Sequence, residues 1–252
     1  MQKVTAIILT YNESLHIKGA LDSVQWCDEI LVIDSFSTDD TLAIVKTFPK
    51  VKILQNKFVT HAAQKNWAIP QASHDWVFLL DADERPTPEL VSELQGMLKN
   101  NSMTKDAYWI GRKNTFMDRE LKVVWKNDAV IRFFKKTCRY ENKQVHEEII
   151  CPDSGRLTHK ILHDTYSGRG FIYHLQKGDK YSTLSALDYK DKVGPITLYH
   201  LALRPLLAFF KSYILKGGFI DGKQGFIIAV LTGWNIFCRF VKVWRMREGE
   251  KF

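Results

Sequence analysis

Three short apolar runs, each breaking off into a polar loop, leave this chain few folds to adopt. Val4-Thr5-Ala6-Ile7-Ile8-Leu9, Glu29-Ile30-Leu31-Val32-Ile33 and Asp75-Trp76-Val77-Phe78-Leu79-Leu80 are nearly unbroken in apolar side chains. A strand with one wet face alternates polar and apolar residues; these do not, and so read as strands covered on both faces. Ser14 to Trp26 and Asp39 to Phe48 instead carry apolar residues at helical spacing, with Asp39 and Asp40 suited to cap the second helix. Strand and helix in alternation imply an α/β fold, a mostly parallel sheet with helices on both faces.

In sheets of that kind a ligand sits beyond the carboxyl ends of the strands, and the polar clusters fall there. Thr10 to Glu13 follows the first run, Asp34 to Asp40 the second and Asp81 to Glu84 the third. Asp81-Ala82-Asp83 sets two carboxylates one residue apart. Extended backbone projects alternate residues to one side, so both are expected to face one ligand if strand geometry persists. Carboxylate oxygens suit a hard divalent cation, Mg²⁺ or Mn²⁺, that completes its shell with water and phosphate oxygens.

After Glu93 the periodicity weakens, and Tyr108 to Glu148 mixes aromatic, basic and turn residues in a way that suits irregular, partly antiparallel structure. From Pro195 onward long apolar segments are broken by single cations. That shift divides the chain into an expected catalytic domain, 1–194, and an expected helical, membrane-associating segment, 195–252. Helices are expected over Leu198 to Leu215 and Phe226 to Val243. Their longest uncharged run, Gly225 to Cys238, has 14 residues, short of the roughly 20 that span a bilayer. The pair is therefore expected to lie along a membrane surface, with Trp234 and Trp244 near the headgroups.

A formal net charge of +8 on 252 residues favours anionic partners. No helix-turn-helix pattern, zinc-finger spacing or ribonucleoprotein motif speaks for nucleic acid, whereas phosphorylated substrates and anionic lipid account for the charge. Cys27, Cys138, Cys151 and Cys238 lie far apart with no Cys-x-x-Cys pair, which suggests neither a zinc site nor a dense disulfide framework and fits a reducing compartment. The apolar stretch before Tyr11-Asn12-Glu13 is too short for the core of a signal peptide, so a cytoplasmic location is expected.

In order and spacing, Ile7-Ile8-Leu9-Thr10-Tyr11-Asn12-Glu13, Val32-Ile33-Asp34-Ser35-Phe36-Ser37-Thr38-Asp39, Gln64-Lys65-Asn66 and Asp81-Ala82-Asp83 resemble family 2 of the glycosyltransferases. Arg132-Phe133-Phe134, Val145-His146-Glu147 and Gly217-Gly218-Phe219-Ile220-Asp221-Gly222 extend the resemblance, over nearly the whole chain, to the bacterial lipopolysaccharide-core glucosyltransferases within it. The resemblance implies a GT-A fold and a metal-assisted, inverting transfer of a hexose. The implied donor is UDP-glucose, and the acceptor a lipopolysaccharide inner-core sugar or other lipid-linked glycan at the inner face of the cytoplasmic membrane.

By the same resemblance, Thr10, Tyr11, Asn12, Glu13 and Asp34 hold the base and ribose, and Lys65 and Asn66 lie near the base or diphosphate. Asp81 lies close to the ribose and Asp83 ligates the metal. His163 is similar to the late histidine that adds a metal ligand in such enzymes. Glu147 is the implied base, with Glu148 as the alternative, and Arg132 is implied on the acceptor side. The family's usual Asp-Gly-Ser is here Asp34-Ser35-Phe36-Ser37, so that turn departs from the pattern. Trp109 and Trp125 are candidates for stacking on sugar rings. Two competing expectations stand beside this one. A nucleotidyltransferase would ordinarily carry a Gly-rich phosphate loop after the first strand, which Thr10-Tyr11-Asn12-Glu13 is not. A non-catalytic membrane-surface protein retaining the fold would have no need of Asp81, Asp83 and Glu147.

Overall fold

The computed structural model describes residues 2–141, 148–164 and 168–252. The chain forms two compact units, Met1–Asn114 with Asn127–Thr165, and Thr115–Lys126 with Tyr166–Phe252. These units follow tertiary contacts, whereas the expected division at 194 followed composition, and the two cut the chain at different places.

In the first unit β1 (Val4–Thr10), β2 (Glu29–Asp34), β3 (Val51–Gln55) and β4 (Trp76–Asp81) are parallel. The helices α1 (Ile17–Ser23), α2 (Thr41–Val45) and α3 (His61–Ala68) fall between them. The apolar runs were expected as β1, β2 and β4, and are found there. Alternate residues divide between two cores, as they must when both faces of a strand are covered. Ala6, Ile8, Val32, Phe78 and Leu80 pack with Ile17 and Leu21 of α1 on one face, and Ile7, Leu31, Ile33, Val77 and Leu79 with Ala62 and Ala68 of α3 on the other.

After β5 (Glu84–Pro86), α4 (Pro88–Asn100) begins at Thr87, whose hydroxyl accepts from Leu90 N, and ends at Asn101 in a left-handed conformation, φ 51°. β6 (Ala107–Phe116) runs on into the second unit, where β7 (Arg119–Glu120) turns back on its end. The first unit resumes with β8 (Ala129–Lys135), β9 (Arg139–Tyr140), β10 (Ile149–Ile150) and β11 (Ser154–His163). The main sheet has the order β3-β2-β1-β4-β8-β6-β11-β5, with β8 antiparallel to both neighbours, as the mixed region was expected to be.

β9 and β10 form a small antiparallel pair, with Arg139 opposite Ile150. That register brings the next residues out, Cys138 and Cys151, to a Cα separation of 5.1 Å, where they are joined by a disulfide. One bridge is not the dense framework that the cysteine spacing argued against. The partners are 13 residues apart, and only the hairpin makes them neighbours. Cys27 and Cys238 are free thiols.

The second unit is helical: α5 (Phe171–Tyr189), a helical stretch 199–215 centred on α6 (Arg204–Phe210), and α7 (Gly222–Arg247). Gly225 of α7 meets the backbone of Gly218 so closely that an added Cβ would lie 1.8 Å from its carbonyl oxygen, so only glycine fits. Lys242 is buried yet satisfied, bonding Asp179 Oδ1 at 2.6 Å, Thr183 Oγ1 at 2.7 Å and Ser182 Oγ at 2.9 Å. The segment 199–210 buries no residue, and Leu206, Leu207 and Phe210 are exposed. The helical stretch Gly218–Arg247 is long and apolar enough to cross a membrane by length and composition.

Candidate active site

The carboxyl ends of three strands form one edge. In the parallel register Thr10 pairs with Asp34 and Leu9 with Asp81, so the last residues of β1, β2 and β4 come together there. Thr10 Oγ1 is buried without a hydrogen-bond partner among the described residues, which leaves it a bond to make with a ligand. Asp34 is fully buried; its oxygens accept from Ser37 N at 3.2 and 3.1 Å and from Gln55 Nε2 at 3.0 Å. A carboxylate offers about four acceptor positions, so Asp34 keeps capacity for a donor N–H.

The loops after β1 and β2 are stitched together. Asn12 N donates to Ser37 Oγ at 2.9 Å, Thr38 N donates to Asn12 Oδ1 at 2.8 Å, and Glu13 N donates to Thr41 Oγ1 at 2.8 Å. Asn12 and Phe36 both hold left-handed backbone, φ 54° and 63°. Asparagine tolerates that conformation, whereas for phenylalanine it costs roughly 1–2 kcal/mol; the turn that departs from Asp-Gly-Ser is therefore strained, and it leaves the Phe36 ring exposed. Tyr11 is exposed as well. The Glu13 carboxylate meets His16 Nδ1 at 3.1 Å within its own loop.

The strand ends at Asp81. Ala82 and Asp83 form a turn, so the expected projection of both carboxylates to one side does not persist, and each has its own partners. Asp81 Oδ2 accepts from Arg132 Nη2 at 2.5 Å. Glu84, fully buried, accepts from Arg132 Nε at 2.7 Å and Nη2 at 2.8 Å, from Arg112 Nη1 at 3.1 Å and from Asp81 N at 3.1 Å. Arg112 in turn grips Asp128 with Nε and Nη2 at 2.9 and 2.8 Å. Burial pushes the carboxyls of Asp81 and Glu84 up, but the Arg132 charge opposes it, aided at Asp81 by Lys65, and both are held below the usual carboxylate range.

Two expected substrate contacts, Arg132 and Asn66, bond other groups of this chain. Arg132 is buried, and its Nε and Nη2 bond Asp81 and Glu84. Asn66 donates from Nδ2 to Tyr140 O and accepts at Oδ1 from Tyr140 N, both at 2.8 Å, and so docks β9. Lys65 is buried, its ammonium 4.7 Å from the centre of the Tyr140 ring.

His163 ends β11 with Nδ1 at 2.6 Å from Asn114 Oδ1. Asn114 Nδ2 donates to Asp128 Oδ2 at 2.9 Å, and a carboxylate only accepts, so the amide is oriented with its oxygen toward the imidazole. His163 therefore carries its hydrogen on Nδ1 and a lone pair on Nε2, which lies 3.9 Å from Asp83 Oδ2. Adjacent ligands of an octahedral ion at about 2.1 Å stand about 3.0 Å apart, so a shift of about 1 Å would bring this pair onto one divalent cation. Burial, against the pull of Asp83 and Glu84, keeps the imidazole below its ordinary pKa and thus in its ligating, neutral form. No group of three or more such ligands occurs among the described residues; hard cations of this kind usually keep several waters and bind substrate phosphate oxygens. Glu147 and His146 lie outside the described residues; Glu148 is exposed beside β10.

Sequence reasoning missed Glu84, Arg112 and Asn114 as site residues. Arg112 and Asn114 alternate on β6 and so share a face, a pattern legible in retrospect. Glu84 gave no signal beyond its place beside Asp83.

A mixed α/β sheet with this carboxylate edge defines the GT-A class of nucleotide-sugar enzymes, and solved members share the fold. TarS 1–349 of S. aureus in complex with UDP-GlcNAc has a TM-score of 0.52 at 15% identity, covering 99% of this chain and 93% of that one. The mannosyltransferase PcManGT of Pyrobaculum calidifontis, with GDP-Man and Mn²⁺, has a TM-score of 0.53 at 15% identity, covering 99% and 88%. The chain belongs to Glycosyl transferase family 2, whose pattern matches residues 5–165. Along its length it is also similar to the lipopolysaccharide core biosynthesis glycosyltransferase LpsC of Rhizobium meliloti, 27% identical over 94% of this chain and 92% of LpsC.

Proposed function

We propose that this family 2 enzyme transfers a hexose, glucose from UDP-glucose, with inversion, onto a lipopolysaccharide inner-core sugar or other lipid-linked glycan at the inner surface of the cytoplasmic membrane. The observation that carries the metal-assisted reading is the Asp83–His163 pair, with its imidazole tautomer set by Asn114. The uridine nucleotide rests on the motif resemblance, and the name of LpsC supports the acceptor class. The exposed apolar residues of 199–210, near Arg204 and Lys211, support a membrane-surface location.

In this reading Thr10 and Asp34 bind the base and ribose, with the loop Tyr11 to Glu13 closing over them and Lys65 near the diphosphate. Asp83 and His163 hold Mg²⁺ or Mn²⁺, which when bound stabilises charge on the departing diphosphate. Arg132 and Glu84 hold Asp81 in place at the ribose. Glu147, assigned by resemblance, takes the proton of the acceptor hydroxyl as its oxygen bonds to the anomeric carbon. The bond from that carbon to the diphosphate oxygen breaks on the opposite side, so an α-linked donor gives a β-linked product.

Hydrolysis of a panel of nucleotide sugars, with Mg²⁺, Mn²⁺ or chelator, tests the donor and the metal together. UDP-glucose turnover abolished by chelator is expected; preference for another nucleotide sugar overturns the donor, and full turnover in chelator overturns the metal. Glu147→Gln is expected to lower turnover at least ~100-fold.

A further inference from the structure

The helical unit contains a cavity of about 190 Å³ that shares no residue with the strand-end site. It is smaller than the roughly 300–1,000 Å³ of pockets for drug-sized ligands, a size that suits one ring better than a chain. Phe116, Trp125 and Tyr181 give it aromatic walls, and His174, Thr232 and Asn235 supply imidazole, hydroxyl and amide groups. Flat apolar faces beside these hydrogen-bonding groups, with the Lys177 ammonium as a further donor on the lining, match a pyranose, which presents C–H bonds on its faces and hydroxyls around its rim.

Two local devices shape this cavity. Trp125 holds left-handed backbone, φ 61°, which is strained for a bulky residue, and its side chain is left 42% exposed. What holds the strain is Asp221, a buried carboxylate that accepts from Lys122 N at 2.6 Å, Val123 N at 3.1 Å and Val124 N at 2.7 Å. The aspartate of the Gly217–Gly222 motif thus fixes the loop that presents Trp125. Across the cavity, a Cβ at Gly178 would lie 2.7 Å from Asn235 Oδ1, so the glycine makes room for that amide.

We propose that this cavity is a second carbohydrate site, which takes a single pyranose residue of a glycan against the face of Trp125, with Asn235 and Thr232 bonding its hydroxyls. The inference rests on the proposed function only for the source of that sugar, a residue of the acceptor glycan.

Saturation-transfer NMR on the full chain tests it, using methyl glycosides of glucose, galactose and mannose at millimolar concentration, with UDP and Mn²⁺ in the same tube. Transfer to the ring protons of at least one glycoside is expected, weakened at least ~10-fold in both Trp125→Ala and Asn235→Leu, with the UDP signals of each variant unchanged. Glycoside transfer lost in both variants supports the site even if UDP gives no signal, in which case only the donor reading fails. No transfer to any glycoside from the wild-type chain overturns the proposal, as does transfer that persists in both variants.

Discussion

Arg132 and Glu84, 48 residues apart in the chain, share two hydrogen bonds inside the sheet, at 2.7 and 2.8 Å. Arg132 also reaches Asp81, so one buried guanidinium fixes both the first carboxylate of Asp81-Ala82-Asp83 and the turn that presents the second. Removing it would leave Glu84 a buried charge without its main partner. Arg132→Met is expected to destabilise the first unit by about 3–5 kcal/mol at neutral pH. Arg132→Lys should recover little, because an ammonium cannot reproduce the fork of Nε and Nη2. Urea unfolding of the three proteins checks both statements.

The same cluster makes stability depend on acid in a defined direction. Asp81 and Glu84 are held below their ordinary range when folded, whereas in the unfolded chain they titrate near ~3.9 and ~4.3. Above those values neither state binds a proton there and the stabilisation is complete. As pH falls below them, the unfolded chain takes up protons that the folded chain refuses, and the stabilisation is lost. The urea midpoint should fall from about pH 5 to about pH 3, and the deficit of Arg132→Met should shrink over that window.

How far the sequence foretold this depended on where each residue's partners lie. β1, β2 and β4 were legible because strands covered on both faces read as unbroken apolar runs. β3, at the sheet edge, was not: Val51-Lys52-Ile53-Leu54-Gln55 is half exposed and too short to stand out. The places of Asp34, Asp81 and Asp83 at or just past strand ends were legible from those runs, whereas their roles came only from the resemblance. The roles of Arg132, Arg112 and Glu84 were not, since charged residues scattered over some 50 positions look like solvated surface until the sheet folds them together. The bond from Asn66 to Tyr140 was hidden for the same reason, the two lying 74 residues apart.

Asn114 touches no substrate in the proposed reaction; it acts through His163. Asn114→Ala removes the acceptor that keeps the hydrogen on Nδ1, and is expected to raise the Mn²⁺ concentration needed for half-maximal turnover by about 10–100-fold. Maximal turnover at saturating Mn²⁺ should change less. A fall in maximal turnover with unchanged metal dependence would assign Asn114 a different role.

Asp221→Ala leaves the amides of Lys122, Val123 and Val124 without their acceptor. A loss of about 1–3 kcal/mol is expected for a buried donor left unsatisfied. Asp221→Asn, which keeps one acceptor oxygen, should lose less. Faster hydrogen exchange at these three amides, measured by mass spectrometry or NMR, would locate the effect.

In the proposed reading, the uncovered apolar residues of 199–210 and the cations beside them carry membrane association. Co-sedimentation with vesicles containing anionic lipid is expected, and it should weaken as salt screens the cationic contribution. Leu207→Glu combined with Phe210→Glu should reduce it further. Equal binding to neutral vesicles at all salt concentrations would remove the electrostatic part of this prediction.

Mn²⁺ binding in the presence of UDP, followed by electron paramagnetic resonance, bears most directly on the proposed metal site of Asp83 and His163. A single bound ion is predicted for the wild-type chain, weakened at least ~10-fold in both Asp83→Asn and His163→Ala. Binding of equal strength in all three proteins would contradict it.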